Sequence, residues 1–327
     1  MVANVLVVGV GDFGRLHAAI AAEGPTTTLS AVVDVDAAAA KEVADRYGTS
    51  ASLSIEDALA TAPVDVAIVA TPEHLHMQHA LALIEAGVPT LIEKPVSLEL
   101  GDLETIAAAA RDRGVPVVPG HVSRFLPDVA RLLQTVDRPR SIVASRLVPA
   151  ARRALHGRTH PAWMAMVHDL DLVAAMLPAG PVDVVAETRR RDDAGEHADQ
   201  CWAMLSCEAG PVVLLENVWL FPHERQYIDA RLRAIDDHGV HEVRMPATDG
   251  FVSITAGGDH RPSSAIDGRL GERPIGALWQ QLQHLVDVAD GSALPIVTLD
   301  DARRAGVLAD AVVRAASTRT RIHVQLR

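Results

Sequence analysis

The chain is short of lysine: of its 30 lysines and arginines, only Lys41 and Lys94 are lysine. Cysteine is scarce as well. Cys201 and Cys207 lie in an apolar alternating segment, match no common zinc or redox spacing, and suggest core thiols rather than a disulfide framework. Aromatic residues make up only 3% of the chain. The opening Val5-Leu6-Val7-Val8 run is too short for a signal-peptide core or a membrane span and is soon followed by Asp12 and Arg15. Basic charge is not in excess. A formal net charge of −12 disfavours a nucleic-acid or anionic-membrane surface, since nonspecific phosphate binding relies on clustered positive charge. These absences leave a soluble cytoplasmic protein that works on small molecules as the expectation.

The retained lysines are informative because arginine stays charged, whereas lysine offers a compact ammonium whose pKa can be lowered toward neutrality. Lys41 sits on the polar face of an Ala-rich helix and needs no special explanation. Lys94 ends an apolar strand in Leu91-Ile92-Glu93-Lys94-Pro95, where chance retention is a poor account.

Length supports two domains with ample chain for a core in each. Up to about residue 120, short apolar runs at 4–8, 29–34, 65–70, 89–92 and 115–118 alternate with Ala-rich helical stretches. That rhythm predicts a parallel sheet covered by crossover helices. Asp36 and Ser54 are expected helix N-caps, and Tyr47-Gly48, Ala86-Gly87 and Arg113-Gly114 expected helix ends. Beyond it, β-rich segments at 141–148, 182–189, 199–206, 211–219, 227–235 and 240–245 predict a largely antiparallel sheet, with helices near 164–177, 277–290 and 300–316 and a strand-like tail. The fold class is therefore α/β: a Rossmann domain over 1–121, and over 122–327 an α+β domain with a large, mostly antiparallel open sheet. Arg152-Arg153 and Arg189-Arg190-Arg191 read as solvated surface or oligomer contacts.

Gly9-Val10-Gly11-Asp12-Phe13-Gly14 follows the first strand and opens a helix, so the G-x-G-x-x-G pattern has its required context. Gly9 suits a tight turn, Gly11 a close approach of backbone to a pyrophosphate, and Gly14 close helix–strand packing. Asp34, at the end of the second strand, is placed to accept ribose hydroxyls. A carboxylate there repels a 2′-phosphate, and Val35-Asp36-Ala37 offers no arginine to neutralise one. NAD(H) is therefore expected in preference to NADP(H), with Asp12 adding to the bias.

Taken in order, the glycine turn, Ala70-Thr71-Pro72-Glu73-His74-Leu75-His76, Glu93-Lys94-Pro95, Gly120-His121, Arg124-Phe125 and His168-Asp169-Leu170-Asp171 carry a resemblance. The chain resembles the glucose–fructose oxidoreductase, inositol dehydrogenase and rhizopine-catabolism family of NAD(P)-dependent oxidoreductases. The resemblance implies an active site between the two domains and an open C-terminal sheet that often forms the oligomer interface, hence a homodimer or homotetramer. It also implies that Lys94 lies by the nicotinamide and the substrate hydroxyl, that His168 acts as acid or base, and that Thr71, Pro72, His76 and Glu93 line the cofactor channel. Chemistry agrees independently: hydride removal from an alcohol requires a base near the working pH within reach of the hydroxyl.

One departure bears on mechanism. The family commonly has an aspartate four residues before the second-domain histidine, and here Met164 takes that place, so Asp171 is the nearest same-face carboxylate and Asp169 should point elsewhere. His74, His76 and His79 do not share a helix face as metal ligands would, and no metal is expected. His121, Arg124, Met164, Asp171 and Trp219 are candidate substrate contacts, with capping left open for Arg124 and core packing for Trp219. Arg146, His156, His160 and His223 are weaker candidates. The expected activity is hydride transfer between nicotinamide and a secondary alcohol or ketone of a sugar, cyclitol or sugar derivative. Reduction of an imine or nonsugar carbonyl, and a non-catalytic NAD-binding regulator, remain alternatives.

Overall fold

The computed structural model describes residues 2–153, 159–191, 197–208, 210–221, 228–245, 253–255, 258–260 and 264–327. His156 and His223 lie outside them. The described residues form two compact units, Met1–Phe125 with Ala265–Ala302, and Leu126–Ser264 with Arg303–Arg327.

The first unit is a Rossmann fold. Strands β1 (Ala3–Val8), β2 (Thr27–Val33), β3 (Ser50–Ser52), β4 (Val66–Val69), β5 (Thr90–Glu93) and β6 (Val117–Gly120) form one sheet of order β3-β2-β1-β4-β5-β6. Every neighbouring pair is parallel. β1 and β4 are near-continuous aliphatic runs, and every residue of β4, β5 and β6 is buried, because both faces of the sheet are covered. Helices α1 (Asp12–Glu23), α2 (Ala37–Tyr47), α3 (Ile55–Thr61), α4 (His76–Glu85) and α5 (Leu100–Arg113) provide that cover.

Local chemistry sets the helix ends. Asp36 Oδ1 accepts the Ala38 and Ala39 amides at 2.9 and 3.2 Å, and Ser54 Oγ accepts the Asp57 amide at 3.1 Å. Such caps contribute about 1 kcal/mol each. The segment 265–302 also belongs to this unit, although it follows the second sheet in sequence. The reason is packing: in the helix Ala277–Ala289, the inward residues Leu278, Leu282 and Leu285 are buried, and the helix lies on α1, β4 and β5.

The second unit contains α6 (Pro127–Thr135), β7 (Ser141–Pro149), a π-helical turn at Ala162–Met166 that leads into α7 (Val167–Met176), then β8 (Gly180–Arg189), β9 (Gln200–Cys207), β10 (Val212–Phe221), β11 (Asp229–Asp236) and β12 (Gly239–Met245). With the final strand Ile322–Leu326 they form a seven-stranded sheet of order β12-β11-β7-β10-β9-β8 and the tail. All its pairs are antiparallel except β7 with β10. β7 alternates strictly: Ile142, Ala144, Arg146 and Val148 are buried and the residues between them half-buried. The opposite face leaves Met204, Val212 and Leu214 exposed. Arg304, on the helix Leu299–Thr318, ties that helix to the end of α7 by donating to the Ala174 and Leu177 carbonyls, both at 2.8 Å.

The helix expected at 164–177 thus begins earlier and differently. The apolar run from Ala162 supports a π turn as readily as an α turn, and one extra residue in that turn breaks the i, i+4 register between Met164 and His168.

Candidate active site

The three glycines of the first turn have separate jobs. Gly9 has φ of +90° and donates to Val33 O at 2.7 Å; a Cβ there would lie 2.8 Å from Ala70 O and from the Thr71 amide. Gly14 lets α1 press onto the turn, since a Cβ would fall 1.8 Å from Gly9 O. Gly11 caps α1 without any side-chain bond, and a Cβ on it would meet nothing within 4 Å. Its face and the uncapped amides of the first turn therefore border open space, which suits a pyrophosphate at a helix N-terminus. Asp12 is exposed and Phe13 half-buried.

The turn sits where strand order reverses between β1 and β4, the usual ligand crevice of an open parallel sheet. Asp34 holds the turn directly: Oδ2 accepts the Val10 amide at 2.7 Å and Oδ1 accepts the Asp36 amide at 2.9 Å. Each oxygen keeps acceptor capacity for a ribose hydroxyl. Arg15 is the cation nearest in sequence to the turn, and Glu42 engages it with two bonds of 2.9 and 2.8 Å. These residues fit a dinucleotide.

Lys94 follows β5, and the Lys94–Pro95 peptide is cis. Its neighbours grip the segment from two sides. Glu93, buried, accepts the Lys94 amide through Oε2 at 3.1 Å. His76 Nδ1 lies 2.9 Å from Pro95 O, and its Nε2 lies 2.8 Å from Thr71 O. A neutral imidazole has one N–H, so it donates to one of these carbonyls at a time. Burial pushes the His76 pKa down, against the pull of the two carbonyls. Thr71 Oγ1 also meets His79 Nδ1 at 3.1 Å, and Pro72 is exposed.

Sequence reasoning missed His17. On α1 it occupies the inward face with Gly14, Ala18 and Ala21, and its Nε2 lies 2.8 Å from Glu93 Oε1. A polar residue on an otherwise small, apolar helix face was the available signal. Burial raises the Glu93 pKa, but the His17 bond and charge and the Lys94 charge outweigh it, and the carboxyl stays below the usual range. His121 and Arg124 follow β6 and are buried. Arg124 Nη2 lies 3.7 Å from Asp301 Oδ1, and Phe125 packs against the His284 ring with centroids 5.4 Å apart.

In the second unit, His168 is half-buried and Asp171 fully buried on α7. Asp169 points away from His168, into an ion pair with Arg146. That occupies Arg146, which sequence reasoning had placed among the weaker substrate contacts. Met164 packs in a small buried apolar cluster with Val148, Ala165 and Trp219. Trp219 donates its indole N–H to Asn217 Oδ1 at 2.7 Å, so its polar edge is satisfied within the core.

His160, before the π turn, accepts the Ala162 amide on Nδ1 at 3.1 Å, and burial together with His197 pushes its pKa down to about 4. The arginine clusters are only partly solvated surface. Arg153 and Arg191 converge on the fully buried Asp199 at 2.7 and 3.1 Å. Burial raises the Asp199 pKa, but bonds from Gln200 and Arg191 and the charge of Arg153 bring it below the ordinary value.

The chain is similar in sequence and fold to known NAD-binding oxidoreductases. A family profile described as "Oxidoreductase family, NAD-binding Rossmann fold" matches residues 3–121. An inositol 2-dehydrogenase of Saccharopolyspora erythraea is 30% identical over 100% of this chain and 97% of its own length. A UDP-N-acetylglucosamine 3-dehydrogenase of Acidithiobacillus ferrooxidans is 35% identical, with the match spanning 55% of this chain and only 56% of that protein. Among solved structures, GenD2 from gentamicin A biosynthesis, in complex with NAD, superposes with a TM-score of 0.85 at 24% identity, over 99% of this chain and 97% of its own. Among the described residues, no helix is long and apolar enough to cross a membrane.

Proposed function

The chain belongs to the glucose–fructose oxidoreductase, inositol dehydrogenase and rhizopine-catabolism family of NAD-binding oxidoreductases, and from that premise we propose that it is a dehydrogenase or reductase that interconverts a secondary ring alcohol and its ketone on a sugar, cyclitol or sugar derivative. The observation that carries this reading is the Lys94 segment, with Glu93 holding its N–H, His76 holding the next carbonyl, and the glycine turn at the C-terminal edge of the same sheet. Two relatives are by name an inositol 2-dehydrogenase and a UDP-N-acetylglucosamine 3-dehydrogenase, which supports a polyhydroxylated ring as substrate.

When bound, the nicotinamide supplies the hydride acceptor or donor. The protein must manage the proton and the charge on oxygen. Lys94, with three donors on a compact ammonium, steadies the developing alkoxide, and His168 takes or returns the hydroxyl proton. Asp171, His121 and Arg124 are assigned to substrate orientation.

Asp34, with Asp12 near the turn and Arg15 already neutralised by Glu42, supports a preference for NAD(H) over NADP(H). The apolar side chains on the outer sheet face, Met204, Val212 and Leu214, support self-association through that face as a homodimer or homotetramer.

Met164 favours a second reading. Because an apolar side chain packed on Trp219 and Val148 stands where the family commonly has an aspartate, an imine or a nonsugar carbonyl is the alternative substrate. A panel of cyclitols, hexoses, sugar nucleotides and cyclic imines, followed by NADH absorbance, separates the readings. Turnover of a cyclitol or sugar upholds the first, turnover of imines alone the second, and tight NADH binding without turnover would make the chain a regulator.

A further inference from the structure

The Glu93 carboxylate bridges two parts of the first unit. Its side chain is 8% exposed, its Oε1 lies 2.8 Å from His17 Nε2 on α1, and its Oε2 accepts the Lys94 amide at 3.1 Å. Room for it comes from β6, where Gly120 faces Glu93: a Cβ on Gly120 would sit 2.7 Å from Glu93 Cα and 3.2 Å from Glu93 Cδ.

His17 is a costly choice if it only fills space. Its ring is 1% exposed and its Nδ1 has no hydrogen-bond partner among the described residues. A leucine would pack beside Ala18 and Ala21 without burying an unpaired nitrogen. The one bond that sets histidine apart from leucine here is the bond to Glu93. That bond links α1, the helix opened by the glycine turn, to the peptide of Lys94.

We propose that His17 and Glu93 form a positioning pair that fixes the backbone of Lys94 relative to the dinucleotide-binding helix, so that the lysine ammonium is held in one orientation when the cofactor is bound. The proposal rests on the reading of Lys94 as the group at the reacting hydroxyl. Glu93 acts on the peptide N–H of Lys94, and His17 acts through Glu93; neither touches substrate. Without the pair, the Lys94 N–H loses its buried acceptor and the flexible lysine stem loses its fixed base. Misplacement of a reacting group by about 1 Å is enough to cost on the order of a hundredfold in rate.

Scarcity of lysine makes the test direct. Protein labelled with 13Cε-lysine gives two lysine signals, from Lys41 and Lys94, which a Lys41→Arg variant assigns. Lys41, exposed and paired with Asp45 at 2.8 Å, serves as the internal control. His17→Leu and Glu93→Gln should move the Lys94 signal and weaken its response to added NADH while leaving Lys41 unchanged. His17→Gln, whose side-chain amide can replace the Nε2 donor, should restore both properties.

On a substrate that is turned over, kcat should fall about tenfold or more in His17→Leu, with the NADH dissociation constant within about threefold of wild type. If His17→Leu or Glu93→Gln does not fold, His17→Phe, which keeps a ring but has no donor, and Glu93→Asp supply the comparison. An unchanged Lys94 signal in the variants overturns the proposal. So does a changed signal that His17→Gln fails to restore and that comes with lost NADH binding. If Lys94 responds as expected and no substrate is turned over, the positioning pair stands and the dehydrogenase reading falls.

Discussion

Arg146 and Asp169 form a two-pronged ion pair inside the second unit, Nε to Oδ2 at 2.8 Å and Nη2 to Oδ1 at 2.9 Å, with side chains only 6% and 1% exposed. Arg146 comes from the inward face of β7 and Asp169 from the first turn of α7. The planar fork of guanidinium against carboxylate is directional, so it fixes the rotation of α7 about its own axis. His168 is the preceding residue and points about 100° away around the helix. The pair thus sets where His168 faces without touching its ring.

Breaking such a pair leaves a buried charge without its counterion. Asp169→Asn or Arg146→Met should each lower the unfolding free energy by about 3 to 5 kcal/mol, read from urea denaturation. The double variant Arg146→Met with Asp169→Leu should recover much of the loss, because neither charge then remains to be buried. An unchanged midpoint in Asp169→Asn would remove the pair from any account of stability.

The assigned roles of Lys94 and His168 separate in kinetics. Lys94→Arg keeps the positive charge but not the compact, rotatable donors, and should lose most of kcat while binding NADH normally. His168→Ala should lower kcat by about two orders of magnitude. Full activity in Lys94→Arg would show that any cation suffices at that position, and unchanged turnover in His168→Ala would transfer the proton work to Lys94 or to water.

Cofactor choice turns on Asp34. Replacing it with alanine removes the carboxylate that holds the Val10 amide and that would repel a 2′-phosphate. NADH affinity should fall about tenfold, and the NADH-to-NADPH ratio of dissociation constants should move toward unity. A wild-type protein that binds NADPH more tightly than NADH would contradict the assignment at once.

Features governed by nearby residues were legible in the sequence. The glycine turn, the Asp36 and Ser54 caps and the β-rich segment at 141–148 each depend on a few consecutive positions, and each was readable. The three-residue strand β3, Ser50-Ala51-Ser52, was not, since it carries no apolar alternation. The π turn at 162–166 was hidden because an apolar run fits π and α spacing alike.

Pairings across sequence were the least visible. His17 meets Glu93 across 76 residues, Arg146 meets Asp169 across 23, and Arg153 meets Asp199 across 46. No local pattern announces such partners, so arginines that are ion-paired in the fold looked like solvated surface.

The segment that leads to His168 should respond to acid through His160. Its imidazole is held at about 4 by burial and by His197, while an unfolded chain protonates it near 6.5. Between these values the unfolded state binds more protons, so stability rises with pH in that window and is lost as pH falls from 6.5 toward 4. Protonation also removes the lone pair on Nδ1 that accepts the Ala162 amide, the first amide of the π turn. His160→Asn keeps an acceptor but cannot titrate. Thermal melts across this range should therefore show a smaller loss of Tm in His160→Asn than in wild type, with other histidines such as His76 cancelling in the difference. Parallel Tm profiles for the two proteins would show that His160 does not gain its proton on unfolding.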